Sequence, residues 1–186
     1  MKKIFIKFLP FAVAITLLSV LVYGAVQQEM RMSANDLPMQ IAEDGAFALE
    51  SGSIPAEIVS HGSPQVDIGT SLAPWLMVLD DKGEVLESSG VLSGTVPQLP
   101  AGVLDKARAT GENKFTWQPY EDVRDAVVIE RAVSMSRQLS AFVVAGHSLR
   151  ETENHAQTLL LDVAVGWLVT LIGTFIVLAF SRRFLI

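Results

Sequence analysis

Residues 123–133 read VRDAVVIERAV, and Arg131 falls at the same alternation parity as Val127, Ile129 and Val133. In an extended strand, residues two apart share a face. The Arg131 guanidinium is therefore directed toward the apolar side, where it needs an anionic partner. A bound carboxylate would serve, with Trp117 and Phe115, which alternate in the KFTWQ segment, as apolar walls. Arg131, Trp117 and Phe115 are the candidate ligand site. The competing reading is an arginine at a strand end whose head reaches solvent on its aliphatic stem.

Other chemistries find less support. His147, Glu151 and His155 are spaced by four and would share a helix face suited to a metal. His147, however, falls at the end of an expected strand, ahead of the helix cap, which breaks the set. His61 stands in a Gly/Pro-rich segment without an evident partner. With no cysteine and no HExxH pattern, neither a metal nor any other cofactor is expected. No serine stands in a G-x-S-x-G setting, and no Gly-rich phosphate loop occurs. The acid pairs Asp80 with Asp81, Glu121 with Asp122, and Asp125 with Glu130 fall at expected turns and strand ends, where carboxylates face water. The chain is expected not to be an enzyme.

The elements that must position these residues follow from pattern. Residues 27–50 are rich in helix formers interrupted by Pro38, which predicts helix, break, helix. Residues 51–71 turn to Gly, Ser and Pro, the composition of a long loop or lid. WLMVLD at residues 75–80, the turn Asp81-Lys82-Gly83 and EVLESS at residues 84–89 predict strand, tight turn, strand. Residues 99–110 predict one short helix, with Pro100 at its first position and Gly111 as terminator. Residues 114–118, 123–133 and 139–146 predict three further strands. Ser148 followed by Glu151 has capping-box spacing, so a helix is expected to start there and run on into an apolar span.

Two stretches exceed what a soluble fold uses, in a chain of 186 residues with mean hydropathy +0.39. At about 1.5 Å of helix rise per residue, the uncharged residues 8–26 cover a hydrocarbon core roughly 30 Å thick. Residues 159–180 do the same, with Asp162 at the outer boundary. Residues 27–158 hold 19 Asp and Glu against 9 Lys and Arg, a net charge of −10, while Lys2, Lys3, Lys7, Arg182 and Arg183 occupy the tails. Since positive segments resist translocation, both tails (1–7 and 181–186) are expected in the cytoplasm and the acidic middle outside the inner membrane. Lys2, Lys3, Gly24 and Ala25 would also fit a cleavable signal peptide. The apolar run is longer than the roughly 7 to 15 residues of a signal core, so an uncleaved anchor is expected. The acidity of residues 27–158 argues against nucleic acid as a partner.

Within the second span, Gly166, Thr170 and Thr174 recur every four residues and Gly173 adds a further small position. Such spacing lets membrane helices approach closely. Ala12, Thr16 and Ser19 are a possible matching strip on the first span. The expected partner is a second copy, another membrane protein, or the chain's own first span. Trp167 lies too deep for an interfacial belt and is expected against a neighbouring helix or lipid tails.

The order of elements, with WLMVLDDKGEVLESSG at residues 75–90 at its centre, resembles the extracytoplasmic PAS-like or Cache-type sensor domains. There a hydrophobic strand, an Asp-x-x-Gly-type turn and a second strand ending in small residues open the sheet. The correspondence here is residues 78–80, 81–83 and 85–89. The resemblance spans residues 27–158 and implies an α+β fold: a five-stranded antiparallel sheet, a long N-terminal helix, and a pocket on one face for a small molecule or ion. It also implies transmission through the flanking helices. Residues 181–186 leave no room for an output domain, so the signal is expected to pass within the membrane to another protein. The expected function is a membrane-anchored, ligand-binding accessory sensor. The alternative is a structural or assembly subunit that uses the same fold as a docking surface.

Overall fold

A computed structural model describes the backbone of residues 2–62, 65–134 and 139–184. The side chains of Lys2, Lys3, His61, Arg182 and Arg183 lie outside the described residues, so the readings placed on them rest on sequence alone. Two compact units are present, Met32–Thr152 and a helical unit made of Met1–Arg31 with Glu153–Ile186.

The first unit is built on a five-stranded antiparallel sheet of order β3-β2-β7-β6-β5. Its strands are β2 (Trp75–Asp80), β3 (Val85–Ser88), β5 (Glu112–Tyr120), β6 (Val123–Ser134) and β7 (Leu139–Ser148). Both faces are covered, so β2 and β7 read as nearly continuous apolar runs. One face packs Leu76, Val78, Val128, Val143 and Ala145 under helix α2 (Asp36–Glu50) and helix α3 (Pro55–Gly62). The other face packs Trp75, Met77, Leu79, Val127, Ile129, Phe142 and Val144 with Ala107 of helix α4 (Val103–Thr110). Close packing fixes two glycines. A Cβ on Gly146 of β7 would lie 2.2 Å from the Trp75 indole, and one on Gly45 of α2 would lie 2.9 Å from Val143 Cγ1.

The hairpin from β2 to β3 follows from its residues. Asp80 Oδ1 accepts the N–H groups of Lys82 at 2.9 Å and Glu84 at 2.8 Å. Gly83 takes φ +90°, which L side chains rarely adopt. Pro119 is tolerated near the end of β5 because that strand is at the sheet edge, where the register shifts between Trp117 and Tyr120.

Three expectations need correction. The break between the first two helices falls at residues 34–35, after α1 (Lys2–Ser33), and not at Pro38. Pro38 stands in the first turn of α2, where no intrahelical partner awaits an N–H. Residues 51–71 are not one long loop. Pro55 opens α3, Glu57 Oε2 accepts the Ile54 N–H at 3.3 Å as in a capping box, and Val59 packs on the sheet. A short strand β1 (Val66–Asp67) then pairs in parallel with β4 (Gly90–Val91). Finally, α4 starts at Val103 and not at Pro100, because Gly102 at φ +83° turns the chain just ahead of it. Gly111, at φ +90°, ends the helix as expected.

The second unit pairs residues 2–31 of α1 with residues 153–184 of α5 (Arg150–Phe184) in antiparallel fashion. Both helices are long and apolar enough to cross a membrane. Phe8 meets Phe175 edge to face with ring centroids 5.6 Å apart. Trp167 Nε1 donates to Thr16 Oγ1 at 2.9 Å, and Thr16 donates to the Ala12 carbonyl at 2.8 Å. The partly covered residues of α5 include Val163, Trp167, Leu171, Thr174 and Leu178, which advance by four, four, three and four and so form one seam along the helix. Gly166, Thr170 and Gly173 fall off this seam and are exposed, and a Cβ on either glycine would meet nothing within 4 Å. The Thr170 and Thr174 hydroxyls bond the carbonyls four residues back, at 2.7 and 2.8 Å.

Candidate functional site

A candidate cavity lies on the α4 face of the sheet, between the β2–β3 hairpin and the segment 96–105. It has a volume of about 570 Å³, with a floor of Met77, Leu79 and Leu104. Both signs of charge line it, Lys82 and Glu84 from the hairpin and Asp105 and Arg108 from α4. The hairpin turn and the Gly102 turn are therefore the two backbone devices that frame it.

Arg108 is the best-positioned of these groups. Its Nη1 pairs with Asp105 Oδ1 at 2.7 Å, its Nη2 donates to the Asp81 carbonyl at 2.8 Å, and its Cζ lies 5.4 Å from the centroid of the Phe142 ring. A guanidinium held by a carbonyl and an aromatic face keeps its planar fork aimed with little conformational freedom left to lose. Asp105 is well exposed, so its pairing with Arg108 is screened by solvent and contributes little.

The residues proposed from sequence occupy the same face but are not among those that line this cavity. Phe115 and Trp117 stand opposite Val127 and Asp125 on β6. Trp117 is buried in the core against Trp75, ring centroids 5.7 Å apart, with Phe115 packed beside that core. Arg131 does share the apolar face, opposite Phe142, but it stands exposed at the end of the strand. Its Nη1 donates to the Arg108 carbonyl at 3.3 Å, so a carbonyl in the last turn of α4 takes the place of an anion. In the helical pair, Trp167 contacts the neighbouring helix. Of the small positions, Thr174 lies on the helix–helix seam and Gly166, Thr170 and Gly173 do not.

A second locus was missed by sequence reasoning. Asp125 does not face water: it is 1% exposed, and its Oδ2 accepts the Trp75 Nε1–H at 2.6 Å. Oδ1 is buried without a hydrogen-bond partner among the described residues. Burial pushes the Asp125 carboxyl above the usual carboxylate range, against the opposing pull of the Trp75 hydrogen bond and the nearby His147 and Arg150. The signal was present in the sequence. Asp125 shares the parity of Val123, Val127 and Ile129, the same argument that placed Arg131 inward. Arg108 and Lys82 carried no comparable signal, since their roles come from α4 and the hairpin meeting across the sheet.

Among known proteins, no family model matches the chain, and no curated protein matches its sequence significantly.

Proposed function

We propose that this chain is a membrane-anchored sensor of PAS/Cache-like type whose domain outside the cytoplasm binds a small charged molecule and passes the event to a membrane partner. The observation that carries the reading is the cavity of about 570 Å³ between hairpin and α4, where Arg108, Lys82, Asp105 and Glu84 converge over an apolar floor. Charged side chains of both signs beside an apolar floor would orient a small charged ligand there. The two apolar helices, in one antiparallel pair, supply anchors whose ends fall on the same side. The excess of positive residues in the tails favours the cytoplasm for that side. Gly166, Thr170 and Gly173, lying off the intramolecular seam, are the positions through which a second copy or another membrane protein would pack.

The docking-subunit reading draws on a different observation, the 72% exposed Phe47 on the outer side of α2. Native mass spectrometry of the full chain, gently released from the membrane, separates the two. The sensor reading expects a small-molecule adduct or the uptake of one compound class from a mixture of amino acids, organic acids, nucleobases and divalent metals. A chain that takes up none of them and copurifies in a fixed ratio with another membrane protein through Phe47 would support docking instead.

A further inference from the structure

The start of α5 is held by a small set of bonds around the buried Asp125. Ser148, the last residue of β7, is the register partner of Asp125 and is 5% exposed. Its hydroxyl accepts the N–H of Arg150, the first residue of α5, at 3.4 Å. The Leu149 N–H bonds the Arg124 carbonyl, one residue from Asp125, at 2.8 Å. The Arg150 side chain then reaches the loop after β1, where Nη2 donates to the Gly69 carbonyl at 2.7 Å and Nη1 to the Thr70 carbonyl at 3.3 Å. Asp67 stiffens that loop, its Oδ1 accepting the Gly69 N–H at 2.9 Å and its carbonyl accepting the Thr70 and Ser71 N–H groups.

We propose that Asp125 and Arg150 form a proton-operated latch on the first turn of α5. With the Asp125 carboxyl protonated, Arg150 holds the carbonyls of Gly69 and Thr70. When the proton leaves to solvent, Arg150 swings to the carboxylate and releases the loop.

The chemistry follows from the unpartnered oxygen. A neutral acid leaves one uncharged polar group unpaired in this dry place beside the indole bond on Oδ2, whereas a carboxylate leaves a full charge with that one bond, which burial penalises more heavily. A carboxylate offers the Arg150 guanidinium a Coulomb attraction that a neutral carbonyl lacks, so ionisation reverses the preference of Arg150. Ser148, in register with Asp125, is the neutral donor available on the way. The titratable and charged groups around Asp125 are few among the described residues. His147 on β7 and Arg150 on α5 both favour its ionised form, and Asp67 belongs to the loop that Arg150 grips. β2 and β5 present the indoles of Trp75 and Trp117. The latch uses none of the cavity-lining residues, so it stands or falls independently of the ligand reading.

Hydrogen exchange of the full chain in lipid nanodiscs, read across pH with intrinsic rates corrected, tests the latch. Amides 69–71 should lose protection several-fold as pH rises through a single transition, and Asp125→Asn should keep the low-pH pattern throughout. Protection of 69–71 that does not move with pH, or that moves equally in Asp125→Asn, overturns the proposal. If that variant does not fold, the infrared band of a protonated carboxyl in the unsubstituted chain decides. Its disappearance with the same midpoint as the loss of protection supports the latch, and its absence at every pH where 69–71 are protected overturns it.

Discussion

Asp125 concentrates the physical tension of the domain in a single side chain. The fold places it among Val123, Val127 and Ile129, gives one oxygen to Trp75 and leaves the other without a partner among the described residues. Because its folded-state carboxyl is raised, the folded chain holds this proton over a pH range where the unfolded chain has released it. Its contribution to stability is therefore complete below the ordinary carboxylate range and is lost as pH rises through the raised folded value. Glu130 acts in the same direction, raised by burial and by Glu43 of α2 and opposed by Lys114. The melting temperature of the domain should accordingly fall between acid and neutral pH. Asp125→Asn, which mimics the neutral acid, should flatten that slope and melt higher than the unsubstituted chain at neutral pH. A steeper slope in the variant would mean that the carboxylate is the form the fold prefers. The parity it shares with Val123 and Val127 pointed inward, but acids at strand ends were read as reaching water and the residue was missed.

At the scale of elements, much of the fold was legible because local patterns and tertiary packing agree. The run WLMVLD, bounded by Pro74 and Asp81-Lys82-Gly83, became β2 and its turn, and the alternation around Phe115 and Trp117 became β5. Elements were misread where one residue's composition outweighed its position. Pro38 and Pro55 read as breakers, yet both occupy first helical turns, where proline costs nothing in hydrogen bonds. The cavity was not legible, because it depends on how closely the hairpin and α4 approach across the sheet, a distance of tertiary origin. Gly45 shows how tight such approaches are on the opposite face. Gly45→Ala gains about 1 kcal/mol of helix propensity. It also drives a Cβ to 2.9 Å from Val143 Cγ1, a buried branched side chain with no room to turn. Overpacking of this kind costs about 1–3 kcal/mol, so the variant should be less stable in chemical denaturation by roughly 1 kcal/mol. A gain in stability would show that α2 lifts from the sheet without cost.

For the whole molecule, the positive tails and the two apolar helices lead to an expected orientation that can be tested. The chain contains no cysteine, so single cysteines report accessibility without background. Lys7→Cys should resist a membrane-impermeant thiol reagent applied to intact cells, and Glu87→Cys on β3 should react. The reverse pattern would invert the orientation drawn from the positive tails. The proposed sensor function requires in addition that the cavity between hairpin and α4 be the place where a ligand acts. Val96 lines that cavity and is 41% exposed, so Val96→Trp fills the space without disturbing the core.

The most direct measurement is a thermal-shift titration of the full chain and of Val96→Trp, side by side, against amino acids, organic acids, nucleobases and divalent metals. The account predicts a dose-dependent rise in the unsubstituted chain with one chemical class, worth about 2.7 kcal/mol at a hundredfold excess over the dissociation constant, and its loss in Val96→Trp. No rise with any class, or an equal rise in both chains, would contradict it.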